Sequence, residues 1–353
     1  MLNFYPGPSR VYPKLPEFIY DAYREGILGI NHRSPQFVDI SKTCVKQLRK
    51  KLNIPKDYSV FYTSSATECW EIIAQSLIEK KSFHLYNGAF GEKWHDYTKK
   101  ILPAVSGFKF DLENAIEVEK LAISGDSELI CITQNETSNG TQVSNETIQS
   151  IGARYPEKLI AIDATSSMAG LELDISSADV WYASVQKCFG LPAGLAVLIC
   201  SPRTIERALE LNHDQYYNSL TFMVEKMKDF QTTHTPNVLG IYLLMRILKS
   251  VPNIKVVHEK ITQRFEEWIE FLGGFKTFDL FIENTSVRSQ TVIPITAETK
   301  VLEHIKDLAE KHDIIIGNGY GDLKHQTLRI ANFPAIKRKE IRTFQKFLKK
   351  SFN

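Results

Sequence analysis

The segment that decides the fold begins at residue 159 and contains three short apolar runs: Leu159-Ile-Ala-Ile-Asp163, Val180-Trp-Tyr-Ala-Ser184 and Leu195-Ala-Val-Leu-Ile-Cys200. Each run is apolar at almost every position instead of alternating between apolar and polar residues. A strand has this composition when both faces of its sheet are covered, which is typical of parallel sheets lying between helices. The segment therefore predicts neighbouring buried strands within an α/β domain.

The same pattern occurs upstream of residue 159. Further short β-rich runs lie at residues 58–62, 83–86 and 129–133, and stretches with helical periodicity separate them. This alternation predicts a doubly wound α/β domain with a mostly parallel sheet. Beyond residue 240 long helical stretches and short strands predict a smaller α+β domain. We therefore expect three parts: an N-terminal arm (1–15), a large domain (16–240) and a small C-terminal domain (241–353).

Composition excludes several classes of function. Among 353 residues, 43 Lys and Arg balance 41 Asp and Glu. The chain therefore lacks the excess of basic residues that is typical of nucleic-acid-binding proteins. The five cysteines are widely spaced without a CxxC pair, and the nine histidines lack metal-ligand spacing, so we expect neither a disulfide scaffold nor a metal site. The N-terminus does not resemble a signal peptide, and no apolar run is long enough for a membrane span. We expect a cytoplasmic protein.

Ligands of open α/β sheets bind beyond the carboxyl ends of the strands, so the residues that follow each run are candidates for chemistry. The stretch Thr63-Ser-Ser-Ala-Thr-Glu68 follows one strand and opens a helix. Its position suits a phosphate, because a helix N-terminus offers free N–H groups and partial positive charge. The commoner explanation is a capping box formed by Ser65 and Glu68. The two interpretations are compatible.

Two charged residues follow buried-looking strands. Asp163 is either a partner for a protonated ring nitrogen or other cation, or the N-cap of the following helix. Lys187 lies between two apolar strands and precedes a Gly/Pro turn, where a lysine is either an ion-pair partner or a reactive amine of depressed pKa. An aspartate on a pyridinium and a lysine in a Schiff base are what a pyridoxal phosphate site requires.

Three further residues are weaker candidates. Phe90 follows a strand beside glycines and is suited to stack on a flat ring, although plain core packing is the commoner role. Arg33 and Arg329 each carry the fork that matches a carboxylate, while a surface ion pair is the ordinary alternative for Arg33. Gly317-Asn-Gly-Tyr-Gly321 lacks the spacing of a dinucleotide-binding motif, and we interpret it as a loop.

Taken in order, these segments resemble the class V, fold-type I pyridoxal phosphate enzymes, and among them the phosphoserine aminotransferases. Six motifs spread from residue 3 to residue 329 carry the resemblance. They are Asn3-Phe-Tyr-Pro-Gly-Pro-Ser9, Asn31-His-Arg-Ser-Pro-Gln-Phe37, Asn135-Glu-Thr-Ser-Asn-Gly140, Gln186-Lys187 with the following Gly-x-Pro-Ala-Gly194, His234-Thr-Pro236, and Arg329 within Thr327-Leu-Arg-Ile330.

The resemblance implies pyridoxal 5'-phosphate as cofactor and a role for each matching position. Lys187 would hold it in a Schiff base, and Asp163 would keep the ring nitrogen protonated. Phe90 would stack on the ring, where the family often has tryptophan, and Thr137 would bind near its phenolic side. The phosphate would be bound by Ala66, Thr67 and Gln186.

The resemblance also implies a homodimer with shared active sites. His234 and Thr235 would reach the cofactor phosphate of the neighbouring subunit. Arg329 would bind the α-carboxylate of the amino acid, and His32 and Arg33 would bind its distal phosphate or carboxylate. The expected reaction converts O-phospho-L-serine and 2-oxoglutarate to 3-phosphohydroxypyruvate and L-glutamate, as in serine biosynthesis.

Two departures from the family pattern leave the substrate open. The family's glycine-rich phosphate loop is here Ser64-Ser-Ala-Thr-Glu68, and a His-Arg pair near the carboxylate arginine is here Asp322-Leu323. Lys324 and His325 lie nearby and are candidates to replace that pair. The alternative is another class V transaminase, such as one that uses alanine or serine with glyoxylate. A cysteine desulfurase is disfavoured because no cysteine follows Cys200.

Overall fold

The computed structural model describes residues 1–352 as an α/β structure with two main sheets. Its strands are β1 (Leu2–Phe4), β2 (Ser59–Thr63), β3 (Ser82–Tyr86), β4 (Val105–Lys109), β5 (Leu129–Thr133), β6 (Asn135–Glu136), β7 (Thr141–Gln142), β8 (Leu159–Asp163), β9 (Val180–Ser184), β10 (Ala196–Cys200), β11 (Asp279–Leu280), β12 (Val292–Thr296), β13 (Ile314–Asn318) and β14 (Thr327–Ala331).

Helices alternate with these strands. They are α1 (Leu15–Arg24), α2 (Pro35–Leu52), α3 (Ala66–Leu77), α4 (Ala89–Ile101), α5 (Asn145–Arg154), α6 (Pro202–Leu211), α7 (Leu220–Met227), α8 (Val238–Ser250), α9 (Ile254–Leu272), α10 (Thr299–Lys311) and α11 (Arg338–Phe352). Within residues 1–352, none of them has the length and apolar character needed to cross a bilayer.

The larger sheet has seven strands in the order β2-β10-β9-β8-β5-β3-β4. All neighbours pair in parallel except at β10, which is antiparallel to both β2 and β9. Every residue of β5, β8, β9 and β10 is buried, because helices cover both faces of the sheet. The prediction of a mostly parallel, doubly wound sheet is confirmed.

The register of this sheet brings the predicted strand ends side by side. Asp163 lies opposite Thr133 on one neighbouring strand and opposite Tyr182 on the other. The reversal into β10 uses two glycines with positive φ, Gly190 at 62° and Gly194 at 104°, a conformation that favours glycine. This turn leaves the segment that carries Lys187 at the same edge of the sheet as Asp163.

The smaller sheet has the order β1-β13-β14-β12-β11. The start of the N-terminal arm adds its edge strand, because residues 2–4 pair in parallel with Ile314, Ile315 and Ile316. Phe4 then packs against Trp268 and Phe344 in the core below this sheet. Helix α8 packs on α2 in the core of the larger sheet, so the division at residue 240 stays a prediction.

Candidate active site

Lys187 follows β9 and is buried at the carboxyl edge of the large sheet. Its Nζ donates a hydrogen bond to Oγ1 of Thr137 at 2.6 Å and lies 5.0 Å from the ring centroid of Phe90. Burial lowers the pKa of this amine to about 8, against the opposing effects of Asp163 and Glu136. At neutral pH, Lys187 is therefore in its neutral, nucleophilic form in a larger fraction of molecules than an ordinary lysine is.

Asp163 ends β8 and is also buried. One carboxylate oxygen accepts a hydrogen bond from the backbone N–H of Thr165 at 2.9 Å. Burial raises the pKa of this carboxyl, and the bond from Thr165 and the charge of Lys187 act in the opposite direction. Asp163 forms no direct salt bridge within residues 1–352, and such a buried carboxylate is complementary to a cationic group delivered by a ligand.

A cavity of about 310 Å³ lies between these two residues and the surrounding helix starts. Seven of the site residues predicted from the sequence line it: Ala66, Thr67, Phe90, Thr137, Asp163, Gln186 and Lys187. Residues that the sequence analysis did not select as site residues also line it, namely Gly7, Pro8, Trp70, Lys93, Tyr97, Thr133, Asn135, Thr165, Ser184 and Tyr320. We call it the lysine cavity.

The lysine cavity has unmet capacity for hydrogen bonds. Oγ1 of Thr133 and Oδ1 of Asn135 are buried and have no partner within residues 1–352. Buried polar atoms are normally paired, so two orphaned oxygens in one cavity indicate a polar ligand. Together with a buried amine and a buried carboxylate, this wall fits a polar aromatic cofactor that carries a basic ring nitrogen.

The first turn of α3 faces the cavity through Ala66 and Thr67. The capping box expected here is present, because Oγ of Ser65 accepts from the N–H of Glu68 and Oε2 of Glu68 accepts from the N–H of Ser64. The cap therefore sets the start of the helix at the cavity wall, where its partial positive charge suits an anion. The Ala66 N–H donates to Oγ of Ser184 at 2.8 Å, which ties this turn to β9.

Helix α4 supplies the wall opposite Lys187. Its residues Phe90, Lys93 and Tyr97 follow helical spacing and all line the cavity. The ring of Phe90 stacks on that of Tyr320 with centroids 4.8 Å apart, and Nζ of Lys93 donates to the Tyr320 hydroxyl at 2.5 Å. The helical spacing of Lys93 and Tyr97 from Phe90 is a sequence pattern that could have identified them as cavity residues. No local sequence pattern identifies Tyr320.

A buried carboxylate fixes the start of α4. Oε2 of Glu136 accepts hydrogen bonds from the backbone N–H groups of Phe90 and Gly91 at 3.1 and 3.0 Å. Gly88 is required at the N-cap, since a Cβ there would lie 2.4 Å from Cγ of Glu136. The position of the Phe90 ring thus depends on a side chain 46 residues later in the chain.

Arg329 lies in β14 and is buried behind Thr137 and Tyr320. Its guanidinium donates to the carbonyl oxygens of Asn318 and Thr137 at 2.7 and 2.8 Å. Its Cζ is 5.6 Å from the ring centroid of Tyr320. The structure therefore places Arg329 next to the residue that binds Lys187, but not among the residues that line the lysine cavity.

His32, Arg33, His234 and Thr235 do not line the lysine cavity. Arg33 donates to Oε1 of Gln231 at 3.0 Å, and the ring of His234 packs edge-on against Tyr217, 5.9 Å away. The pKa of His32 is lowered by partial burial first and then by the nearby charges of Arg33 and His234. Three of the four thus lie near one another. The role of His234 and Thr235 at a neighbouring subunit and that of His32 and Arg33 at the distal group of the substrate stay predictions.

Lys324 and His325, the suggested replacements for a family His-Arg pair, line a different cavity. Thr299, Glu303 and Lys306 lie on the wall of that cavity, whose volume is about 230 Å³. The residue of the same loop that the structure brings into the lysine cavity is Tyr320. Besides Lys187, the cation that lines the lysine cavity is Lys93.

Comparison with known proteins shows what kind of molecule carries this geometry. The model of the family "Aminotransferase class-V" matches residues 6–333. The chain belongs to the class-V aminotransferases. It is an enzyme of this family, and the predicted resemblance and fold type are confirmed. The lysine cavity is thus the candidate active site of an aminotransferase, and its donor set fits pyridoxal phosphate.

Among its relatives, a phosphoserine aminotransferase from Rhodococcus opacus (strain B4) is 27% identical over 356 residues, covering 94% of this chain and 89% of the relative. The solved structure of a phosphoserine aminotransferase from Cytophaga hutchinsonii matches with a TM-score of 0.94 at 31% identity, over 99% of this chain and 98% of that one. An alanine–glyoxylate aminotransferase from Nostoc sp. shares the fold, with a TM-score of 0.85 at 18% identity over 98% and 94% of the two chains.

Proposed function

We propose that this class-V aminotransferase uses pyridoxal 5'-phosphate to transfer the amino group of O-phospho-L-serine to 2-oxoglutarate, which gives 3-phosphohydroxypyruvate and L-glutamate. The observation that carries the proposal is the buried Lys187 amine across one cavity from the buried Asp163 carboxylate. Relatives named phosphoserine aminotransferase along almost the whole chain support the choice of substrate. The reaction is the amino-transfer step that serine biosynthesis requires.

Different residues of the lysine cavity would hold different parts of the cofactor. Lys187 would bind it covalently, Asp163 would hold a proton at its ring nitrogen, and Phe90 would support the ring face. The first turn of α3 would bind the phosphate through Ala66 and Thr67. When bound, pyridoxal phosphate supplies an electrophilic aldehyde carbon and a ring that withdraws electrons from the substrate Cα.

Lys187 also has a second task after an amino acid has displaced it. The freed amine would remain at the edge of the lysine cavity, where burial lowers the pKa of Lys187 to about 8, a value suited to a general base. We infer that Lys187 removes the proton from the substrate Cα. The hydroxyl of Thr137, which accepts a hydrogen bond from this amine, would help to position it.

Two cations would bind the two ends of an anionic amino acid. Arg329 would receive the α-carboxylate, since its guanidinium fork is fixed beside Thr137. Lys93 would receive the distal phosphate, because it lies on the cavity wall while Lys324 and His325 lie elsewhere. His32 and Arg33 would join Lys93 at the distal group, and in the proposed homodimer His234 and Thr235 would reach the cofactor phosphate of the neighbouring subunit.

The second candidate is a transaminase for alanine or serine with glyoxylate. It is supported by the loop at residues 64–68, which lacks the glycines of the phosphoserine enzymes, and by Asp322 and Leu323 in place of a His-Arg pair. The two candidates share the cofactor and the roles of Lys187 and Asp163, and they differ in the distal group of the donor.

A visible absorbance spectrum of the purified protein, with pyridoxal phosphate added, tests both the proposed cofactor and the proposed amino donor. We expect a band that phosphoserine bleaches without any oxo acid, because the amino group then stays on the cofactor. A band that survives phosphoserine and falls with alanine or serine would support the second candidate. Absence of a band after cofactor addition would contradict the proposal as a whole.

A further inference from the structure

A second cavity, of about 320 Å³, lies where the N-terminal arm crosses helices α8 and α9. We call it the arm cavity. It shares no lining residue with the lysine cavity. On α9 the residues that face it are Val257, Lys260, Ile261 and Arg264, which follow helical spacing and so form one face. Its volume is within the usual range of small-molecule sites.

The charge of the arm cavity is one-sided. Its wall carries the cations Lys14, Lys260 and Arg264 and no carboxylate. The nearby Glu267 and Arg338 form an ion pair with each other. A pocket with three cations and no acid favours an anion.

Arg264 is the buried member of this set and is about 9% exposed. Its terminal nitrogens donate to the carbonyl oxygens of Asn332, Phe333 and Ile336. Its Nε is buried and has no hydrogen-bond partner within residues 1–352. A buried guanidinium held only by carbonyl groups lacks a compensating negative charge, which a bound anion would supply.

The remaining wall is mostly apolar. Ile247, Val251, Val257 and Ile261 contribute aliphatic surface. A charged rim over an aliphatic floor selects a molecule with an anionic head and a short apolar body.

The arm connects this cavity to the catalytic lysine. Tyr12 lines the arm cavity, and its N–H donates to the carbonyl oxygen of Gly190 at 3.0 Å. The backbone N–H of Ser9 likewise donates to the backbone carbonyl oxygen of Gln186 at 3.0 Å. Gly7 lines the lysine cavity, and a Cβ there would lie 2.9 Å from Cε of Lys187. One short segment therefore contacts both cavities and the loop that carries Lys187.

We propose that the arm cavity binds a small monocarboxylate with an apolar body, and that its occupancy acts through the arm on the loop that carries Lys187. The binding part is independent of the substrate assigned above. The coupling part rests on the proposed function, since it concerns binding of pyridoxal phosphate at Lys187.

Calorimetric titration of the full-length holoenzyme with 3-phenylpropionate, and with its neutral amide as matched ligand, tests the binding. We expect the carboxylate to bind at least about tenfold more tightly than the amide, which is the effect of one charge-assisted hydrogen bond. Val257→Trp, which fills the cavity, should abolish binding. Lys260→Glu, an exposed change that preserves the core, should weaken it about tenfold. Equal binding of acid and amide, or unchanged affinity in Lys260→Glu, would overturn the proposal.

The coupling is tested by the dissociation constant of pyridoxal phosphate with and without saturating 3-phenylpropionate. We expect a change of at least about fivefold in the wild type, the lower range of measured couplings, and none in Val257→Trp. A change that persists in Val257→Trp would place the carboxylate in the lysine cavity and overturn the coupling. The experiment measures binding of pyridoxal phosphate and not turnover of phosphoserine. A failure of the coupling can therefore be distinguished from a failure of the substrate assignment.

Discussion

Lys187 and Thr137 are joined by a 2.6 Å hydrogen bond from the lysine amine to the threonine hydroxyl. The main-chain carbonyl of the same threonine accepts from Arg329, so one residue positions both the amine and the guanidinium. The candidate Schiff-base lysine and the candidate carboxylate site are thereby held at a fixed separation. Such fixed placement of reacting groups is a large part of how enzymes lower barriers.

Lys187→Ala should abolish covalent attachment of the cofactor and lower turnover by about a thousandfold or more, because nucleophile and base are lost together. Borohydride treatment followed by mass spectrometry of the peptide measures the attachment. Lys158→Ala, which removes another buried lysine far from the cavity, is the control. Wild-type turnover in Lys187→Ala would contradict the assignment.

The buried amine of Lys187 should make the stability of the apo-protein depend on pH. Its pKa is about 8 when folded and near 10.5 when unfolded, so the unfolded chain binds more protons between these values. The free energy of unfolding therefore rises with pH across that window. Below pH 8, burial of the protonated amine lowers this free energy by its full amount, on the order of 3 kcal/mol. The gap in unfolding free energy between Lys187→Met and wild type should shrink from about pH 8 to pH 10. A constant gap in denaturant titrations would refute this.

Asp163→Asn should lower turnover roughly a hundredfold or more, since an amide cannot hold the proton on the cofactor ring as a carboxylate does. The visible spectrum should shift as well, which a merely structural defect would not cause. Asp307→Asn, an exposed change with no role in the cavity, serves as control. Partial recovery in Asp163→Glu would support a requirement for charge.

Lys93→Met should lower kcat/KM for phosphoserine about tenfold to a hundredfold, the usual range for one hydrogen bond to a charged group. Activity with alanine or serine should change little, because these donors lack the distal anion. Lys93→Arg should restore most of the loss, and Lys99→Met on the same helix should have no effect. An equal loss with every donor would show that Lys93 supports α4 and does not select the phosphate.

Gly88→Ala should destabilise the folded protein by about 2 kcal/mol, since the added methyl would lie 2.4 Å from Cγ of Glu136 and 2.6 Å from Oγ of Ser138. The helix start that carries Phe90 would shift with it. Gly29→Ala is the matched control, because a Cβ there meets nothing within 4 Å. Denaturation midpoints of the two variants give the comparison, and equal midpoints would argue against close packing at Gly88.

The sequence by itself determined the central strands and their ends. The runs at Leu129–Thr133, Leu159–Asp163 and Val180–Ser184 were predicted with the bounds that the structure has, because continuous apolar character is a local property of buried strands. Edge strand β4 was missed, since Val-Ser-Gly-Phe-Lys is partly exposed and lacks that character. From the strand ends, Asp163 and Lys187 followed as candidates.

Only the tertiary structure decided which distant residues meet. Lys93 and Tyr320 are 227 positions apart, and Lys324 and His325 point to another cavity although they are near Tyr320 in sequence. The arm was expected to be extended, but its pairing with β13 and its contact with both cavities depend on long-range packing. Local propensity specifies where an element begins and ends, whereas the burial of its faces against elements far along the chain specifies which side chains share a cavity.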